Sequence, residues 1–183
     1  MKLAALFSGG KDSTYAIHLA KKLSHSVDVL LTLYPHSSDS HLLHHPNIKF
    51  TKLQSESMDI PQLIEEIPSV DAETEFKKLE KLIVSAKENY SIEGIVHGGI
   101  LSNFQKDNFS SICKKHNLEV ISPLWNQNPE LYMEELLKEN FEYIISSVSC
   151  DGLDDSWLGH IIDQDRLENL EKLQNKFGFN LNF

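Results

Sequence analysis

Two periods alternate along the chain. Lys2–Phe7 is an apolar run closed by glycines, the signature of a buried strand. From Asp12 the spacing changes, and Ala16, Leu19, Ala20 and Leu23 recur at i, i+3, i+4 and i+7, which predicts an amphipathic helix. Val27–Tyr34 reads as a second strand stopped by Pro35, and Ile48–Leu53 as a third. Glu73–Tyr90 is the clearest helix, with Phe76, Leu79, Ile83, Ala86 and Tyr90 on one face. Gly94–His97 is a strand broken by Gly98-Gly99, followed by a helix through Phe109, Ile112, Cys113 and His116. Glu119–Ile121 forms a brief strand before Pro123. Asn128–Asn140 reads as helix with Met133, Leu136 and Leu137 inward, and Tyr143–Val148 as another β-rich run. A last helix, from Asp163 to Lys176, runs through Leu167, Leu170, Leu173 and Phe177, with Gly178 as its cap.

Strands separated by helices imply βαβ units. The expected fold is an α/β, Rossmann-like one: an open, mostly parallel twisted sheet with helices on both faces. Its nucleotide-binding domain is expected over residues 1–121. A small C-terminal α/β extension, 122–183, is expected to complete the substrate site. In such sheets ligands sit at the carboxyl ends of strands, near a switch point. The loops beginning at Ser8, Tyr34 and His97 therefore share one functional edge.

Composition narrows the class. With 183 residues, 40% hydrophobic and 24% charged, the chain has the balance of a globular protein with its own core. Lys and Arg number 17 against 27 Asp and Glu, a formal net charge of -10. Nucleic-acid binding, which works chiefly by neutralising phosphates, is disfavoured. Pairs such as Lys21-Lys22, Lys77-Lys78 and Lys114-Lys115 read as solvated helix faces. No apolar stretch approaches the ~20 residues that span a bilayer, and the N-terminus has no secretory h-region. The expectation is an unprocessed cytoplasmic protein. Cys113 and Cys150 offer neither CxxC nor zinc spacing, and Cys113 reads as a small buried hydrophobe.

Ser8-Gly9-Gly10-Lys11-Asp12-Ser13 lies between the first strand and the first helix. Two glycines let the backbone turn tightly and approach a ligand. The N–H groups and positive dipole end of the following helix favour an anion there. Ser8 and Ser13 add hydroxyls, and Lys11 a cation. The sequence is neither Walker A nor G-x-G-x-x-G. A plain strand–helix turn with an Asp cap is the competing reading. The hexapeptide resembles the PP-loop, S-G-G-x-D-S, of the N-type ATP pyrophosphatases. That resemblance implies ATP bound by Ser8, Gly9, Gly10, Lys11, Asp12 and Ser13, with cleavage between its α- and β-phosphates. It also implies a Mg²⁺ ion held directly or through water by Asp12.

A second tier of segments narrows the resemblance. Leu33-Tyr34-Pro35 with Asp39–Asn47 resembles the S-Y-M-F-H-x-P-N stretch of the diphthine–ammonia ligase family, and Gln54–Pro61 its Q-A-x-A-x-G-I-P. Gly98–Lys106 stands where the family has G-x-I-x-S-x-Y-Q. Pro123-Leu124-Trp125 and Trp157-Leu158-Gly159 match its P-L-W and W-L-G landmarks in order. The resemblance implies an ATP-dependent, AMP-forming ligase. Such an enzyme adenylates the diphthine carboxylate on the translation elongation factor and amidates it with ammonia. Lys11 and Asp12 are then the catalytic candidates, Ser40, His44, Gly98 and Gly99 join the nucleotide site, and Ser102 and Gln105 meet the substrate. ATP, ammonia and the factor are the expected partners, and a homodimer is one assembly the reading leaves open.

Other readings stay beside these. His44 lines the nucleotide pocket beside Ser40, or it belongs, with His36, His41 and His45, to a histidine-rich loop or a transition-metal site. The P-L-W and W-L-G segments serve packing as readily as substrate contact. Asn103, Phe104 and Asp107-Asn108 depart from the family's acidic, tyrosine and basic choices, and Asn140 stands where glycine is common. The family's G-E-G-G-E-Y-E-T motif does not occur up to Phe183; if that is the natural end, the expected pocket lacks those acidic groups. Two alternatives follow: the same ATP chemistry on a small molecule or tRNA, or a nucleotide-binding module without ligase activity.

Overall fold

A computed structural model describes residues 1–35, 48–67 and 71–181, without the side chains of Ala72, Phe104 and Gln105. The chain divides into two compact units, Met1–Trp125 and Asn126–Phe183.

In the first unit the described order is β1 (Lys2–Leu6), α1 (Lys11–Lys22), β2 (Ser26–Pro35), a 3-10 turn (Ile48–Phe50) and α2 (Thr51–Met58). Next come β3 (Gln62–Ile67), α3 (Ala72–Tyr90), β4 (Gly94–Val96), α4 (Asn103–Lys115) and β5 (Glu119–Ile121). The strands form one sheet in the order β3-β2-β1-β4-β5, and every pairing is parallel. The chain winds outward from β1 through β2 to β3, then returns to the other side of β1 as β4. The switch point therefore falls between β1 and β4, where the loops leaving their carboxyl ends diverge.

Alternation along the strands builds a core on each face. Leu3, Ala5, Leu30 and Val96 meet Ala16, Ile17 and Ala20 of α1 on one side. Ala4, Val29, Leu31 and Ile95 meet Leu79, Leu82, Ile83 and Ala86 of α3, with Phe109 and Cys113 of α4, on the other. Each fully buried Leu or Ile contributes about 1.5–3 kcal/mol. Cys113 is inaccessible, and burial pushes its thiol up to about 12, so it behaves as the small hydrophobe expected.

The third strand read at Ile48–Leu53 is a 3-10 turn running into α2, and β3 lies further on at Gln62–Ile67. Physically, the buried positions are Ile48, Thr51 and Ser55, a helical spacing, whereas Phe50 and Leu53 are exposed. The hydroxyls can be buried because they are satisfied: Thr51 Oγ1 donates to Ile48 O at 2.7 Å and Ser55 Oγ to Ile60 O at 2.6 Å.

The second unit contains α5 (Pro129–Lys138), a 3-10 turn (Asp155–Trp157) and α6 (Gln164–Phe177). Asn128 caps α5 by accepting from Leu131 N–H at 3.0 Å, and Asp163 caps α6 by accepting from Arg166 N–H at 2.9 Å. Gly178, at φ 77°, closes α6 as expected. Asn140 adopts φ 59° while Phe141 N–H donates to Leu136 O at 2.9 Å. Asparagine is the residue after glycine that tolerates this left-handed helix end, which accounts for the departure there. Tyr143–Val148 is not a strand. It makes only isolated bridges, Ile144 with Ile161 and Ile145 with Leu158, because the residues opposite belong to turns rather than to an extended partner.

Candidate active site

The first strand ends where Phe7 N–H donates to Leu31 O at 2.9 Å, and the chain then leaves the sheet. Gly9 turns it at φ 80° and Gly10 is the extended cap before α1. Left-handed φ alone favours glycine at position 9. Packing adds a second requirement, since a Cβ there would collide with Gln54 Oε1 and stand 3.0 Å from Thr51 Cγ2. Gln54 also donates from Nε2 to Gly9 O at 2.9 Å. The helix that replaced the expected strand thus braces the glycine loop from behind.

The hydroxyls hold the loop's shape. Ser13 Oγ donates to Gly10 O at 3.0 Å, which leaves Ser8 Oγ to donate to Ser13 Oγ at 3.3 Å. Thr14 Oγ1 also donates to Gly10 O, at 2.9 Å. Lys11 Nζ lies 2.9 Å from Asp12 Oδ1, with the lysine largely covered and the carboxylate about a third exposed. The opening of α1 thus combines a cation, a carboxylate and the helix's first N–H groups, which have no acceptor within the helix.

The loop after β4 supplies the opposite wall. A Cβ on Gly98 would lie 2.5 Å from both the carbonyl carbon and oxygen of Asp12 and 2.7 Å from Ser13 N. Only a glycine lets this turn seat on the backbone of α1. Gly99 N–H donates to His97 Nδ1 at 3.1 Å. Because Nδ1 accepts, the proton of the neutral ring is on Nε2, which donates to Ser122 Oγ at 2.6 Å. His97 is 3% exposed, and Phe109 meets its ring edge-on with centroids 5.0 Å apart. Burial, and secondarily the charge of Lys106, brings its pKa down to about 4. Lys106 Nζ itself sits 4.2 Å from the centroid of Trp125.

The expected site residues Ser8, Gly9, Gly10, Lys11, Asp12 and Ser13 form one loop, and Gly98 packs directly on it, with Gly99 beside it. Ser102 is exposed just before α4, its carbonyl accepting from Lys106 N–H at 3.0 Å. Ser40 and His44 lie outside the described residues, as does the side chain of Gln105. His97 was legible only as the end of a strand, and Gln54 only as part of a family-like segment. The signal for His97 was its place before two glycines at a strand's carboxyl end.

The glycine cradle suits a polyphosphate, since both Cβ-free positions keep backbone close to the opening of α1. One carboxylate there, that of Asp12, fits Mg²⁺, which takes one or two carboxylates and fills its other positions with phosphate oxygens and water. Among the described residues, no three His, Cys, Asp or Glu side chains gather as a metal site of their own. No described helix is long and apolar enough to cross a membrane.

Fold and loop together define a doubly wound α/β protein with a glycine-rich loop at its switch point. Residues 1–120 match the family described as Diphthamide synthase N-terminal domain, and residues 128–183 the one described as Diphthamide synthase C-terminal domain. The chain belongs to the diphthamide synthase family. It is 32% identical over 196 aligned residues to the diphthine–ammonia ligase of Bos taurus, covering 97% of this chain and 73% of that protein. With the Homo sapiens diphthine–ammonia ligase the identity is 31% over 182 residues, covering 90% and 68%. A looser likeness, at TM-score 0.44 and 15% identity, joins it to a solved Methanocaldococcus jannaschii structure described as a predicted subunit of tRNA methyltransferase. The match covers 100% of this chain and 90% of that one.

Proposed function

We propose that the chain is an ATP-dependent ligase that adenylates the diphthine carboxylate of the translation elongation factor and amidates it with ammonia. The observation that carries the reading is the glycine loop at the β1/β4 switch point in a chain of the diphthamide synthase family. Ligase relatives at about 30% identity support the choice of reaction.

A carboxylate is a poor acyl donor because its leaving group would be oxide. In the first step a carboxylate oxygen attacks the α-phosphorus of ATP, the bond to the bridging oxygen breaks, and pyrophosphate departs. In the second, the nitrogen of ammonia attacks the carbonyl carbon of the mixed anhydride. The acyl C–O bond breaks, AMP leaves, and the nitrogen gives up a proton to become the amide. Neither step needs a side-chain nucleophile. The protein's work is to hold the phosphates and stabilise the charge that develops at phosphorus.

In this proposal Ser8, Gly9, Gly10 and Ser13 shape the phosphate cradle, and Gly98 and Gly99 wall it. Lys11 offsets charge at the transferring phosphorus, and Asp12 is the group suited to Mg²⁺, which would supply further charge neutralisation. Ser40 and His44 are assigned to the nucleotide, and Ser102 and Gln105 to the acceptor.

Incubation with ATP, ammonia and diphthine-bearing factor is expected to release AMP and pyrophosphate in step with amide formation. Release of ADP, or turnover indifferent to the factor, would count against the reading. Lys11→Ala is expected to lower turnover by about 10²–10³, the range seen when one charge-stabilising donor is removed, while the thermal transition stays in place.

A further inference from the structure

We infer that His97 is a positioning residue, a two-armed clasp that ties the Gly98–Gly99 turn to Ser122 and so keeps Gly98 seated on the first turn of α1. The inference rests on the proposed ATP site, whose wall the turn forms.

An imidazole this buried is an unusual choice where only bulk is needed. A leucine or phenylalanine fills such space without polar atoms to satisfy. Here both ring nitrogens are used, and by different segments: Nδ1 takes the Gly99 N–H and Nε2 gives its proton to Ser122 Oγ. The edge-on Phe109 ring fixes the plane in which the two arms point. Ser122 O in turn accepts from Trp125 N–H at 3.1 Å, so the clasp reaches the turn that carries Pro123-Leu124-Trp125.

The turn has no slack to absorb a lost arm. Gly98 already lies against Asp12 and Ser13 so closely that one added carbon cannot be accommodated. If Gly99 N–H loses its acceptor, the peptide plane between Gly98 and Gly99 is released, and that plane sets how Gly98 meets α1. The ring is not a general base in this arrangement, because neither nitrogen has a lone pair or proton left to exchange with substrate. The low basicity that burial imposes keeps it neutral at working pH.

Substitutions separate the arms. Asparagine carries its amide oxygen at the same bond distance from Cα as Nδ1, so His97→Asn can keep the Gly99 bond. Glutamine carries its amide one carbon further, near the position of Nε2, so His97→Gln can keep the Ser122 bond and loses the other. On the full chain, His97→Gln is expected to raise KM for ATP about tenfold with kcat changed less than about threefold, and His97→Asn to restore KM to within about threefold of wild type. Two readings need no ATP. The ¹⁵N shifts of His97 should report the Nε2–H tautomer, and the Gly99 amide should be protected from exchange in wild type and His97→Asn but not in His97→Gln. Wild-type KM in His97→Gln, equal impairment by Asn and Gln, or the Nδ1–H tautomer would each overturn the clasp. If His97→Gln does not fold, the tautomer and the Gly99 protection of wild type and His97→Asn decide it. A wild type that binds no ATP sinks the functional reading and with it the KM effect, while the tautomer and Gly99 protection still decide the clasp.

Discussion

The carboxyl edge of the sheet and the outer surface of α3 are both laced by side-chain polar contacts, and the two lacings differ in kind. At the edge, beside the Lys11–Asp12 ion pair, the side chains that brace the backbone are neutral. Thr32 Oγ1 donates to Phe7 O at 2.8 Å and accepts from Gln62 Nε2 at 2.7 Å, Gln54 holds Gly9, and His97 holds Gly99 and Ser122. On α3 the contacts centre on carboxylates, met chiefly by lysine ammonium groups. Lys78 and Lys81 meet Glu65 at 2.5 and 3.0 Å, and Lys115 and His116 meet Glu80 at 2.6 Å each. Stranding a buried neutral partner costs about 1–3 kcal/mol, whereas an exposed ion pair is worth about 0–1 kcal/mol. Positional information therefore belongs to the edge, and the outer surface chiefly keeps an acidic protein solvated.

The largest expected effect comes from the tightest point of that edge. In Gly98→Ala the new carbon overlaps backbone, which cannot swing aside as a side chain can. Overpacking of this kind costs about 1–3 kcal/mol or more, and relief requires the two walls of the loop to part. Urea titration should show a loss of about 3 kcal/mol, with ATP binding lost even in the fraction that folds. A variant with wild-type stability and affinity would remove the edge's special status.

The sequence carried much of this, unevenly. The β1–loop–α1 unit was legible because its apolar run, glycine pair and helical spacing all point one way. The α3 helix was legible for the same reason, with Leu79, Ile83 and Ala86 inward. At Ile48–Leu53 Phe50 and Leu53 face out while the Thr51 hydroxyl faces in beside Ile48, so hydrophobic period misleads and only the hydrogen bonds of Thr51 and Ser55 explain the helix. β3 was missed because Pro61, Glu65 and Glu66 obscure an edge strand whose charge at Glu65 is met by Lys78 and Lys81, one turn apart on α3. Gly98 was legible as a turn, but that its missing Cβ faces Asp12 depends on β4 lying beside β1. The clasp of His97 needed Ser122, which only the β4–β5 pairing brings alongside.

A smaller effect tests whether the His97 ring is neutral. His97 has a folded pKa of about 4 against an ordinary value of 6.5, and Lys106 on α4 is the charged group that faces it. The unfolded chain then binds a proton that the folded one refuses. This contribution to stability is complete above about 6.5, falls as pH drops toward 4, and levels off below it, a loss on the order of 2–3 kcal/mol. Urea midpoints measured at pH 7 and pH 4.5 should separate by less in His97→Asn than in wild type, since the variant has nothing to titrate there. Equal separations would mean that His97 is protonated in the folded protein.

The smallest effect belongs to the other lacing. The Lys115 ammonium, and after it His116, hold the Glu80 carboxyl below its ordinary 4.5. A depressed carboxylate stabilises above its unfolded pKa and loses that contribution as pH falls through the folded value, so its window lies below about 4.5. The lysine is 66% exposed, and water screens most of the attraction. Glu80→Gln is therefore expected to cost about 0–1 kcal/mol at pH 7, and less still in 1 M salt, where charges are screened beyond ~3 Å. It should leave KM for ATP unchanged, because Glu80 and its partners Lys115 and His116 belong to α3 and the end of α4 rather than to the glycine loop. A cost matching that of Gly98→Ala would mean that the ion pairs on α3 also set geometry, and the division between the two surfaces would fail.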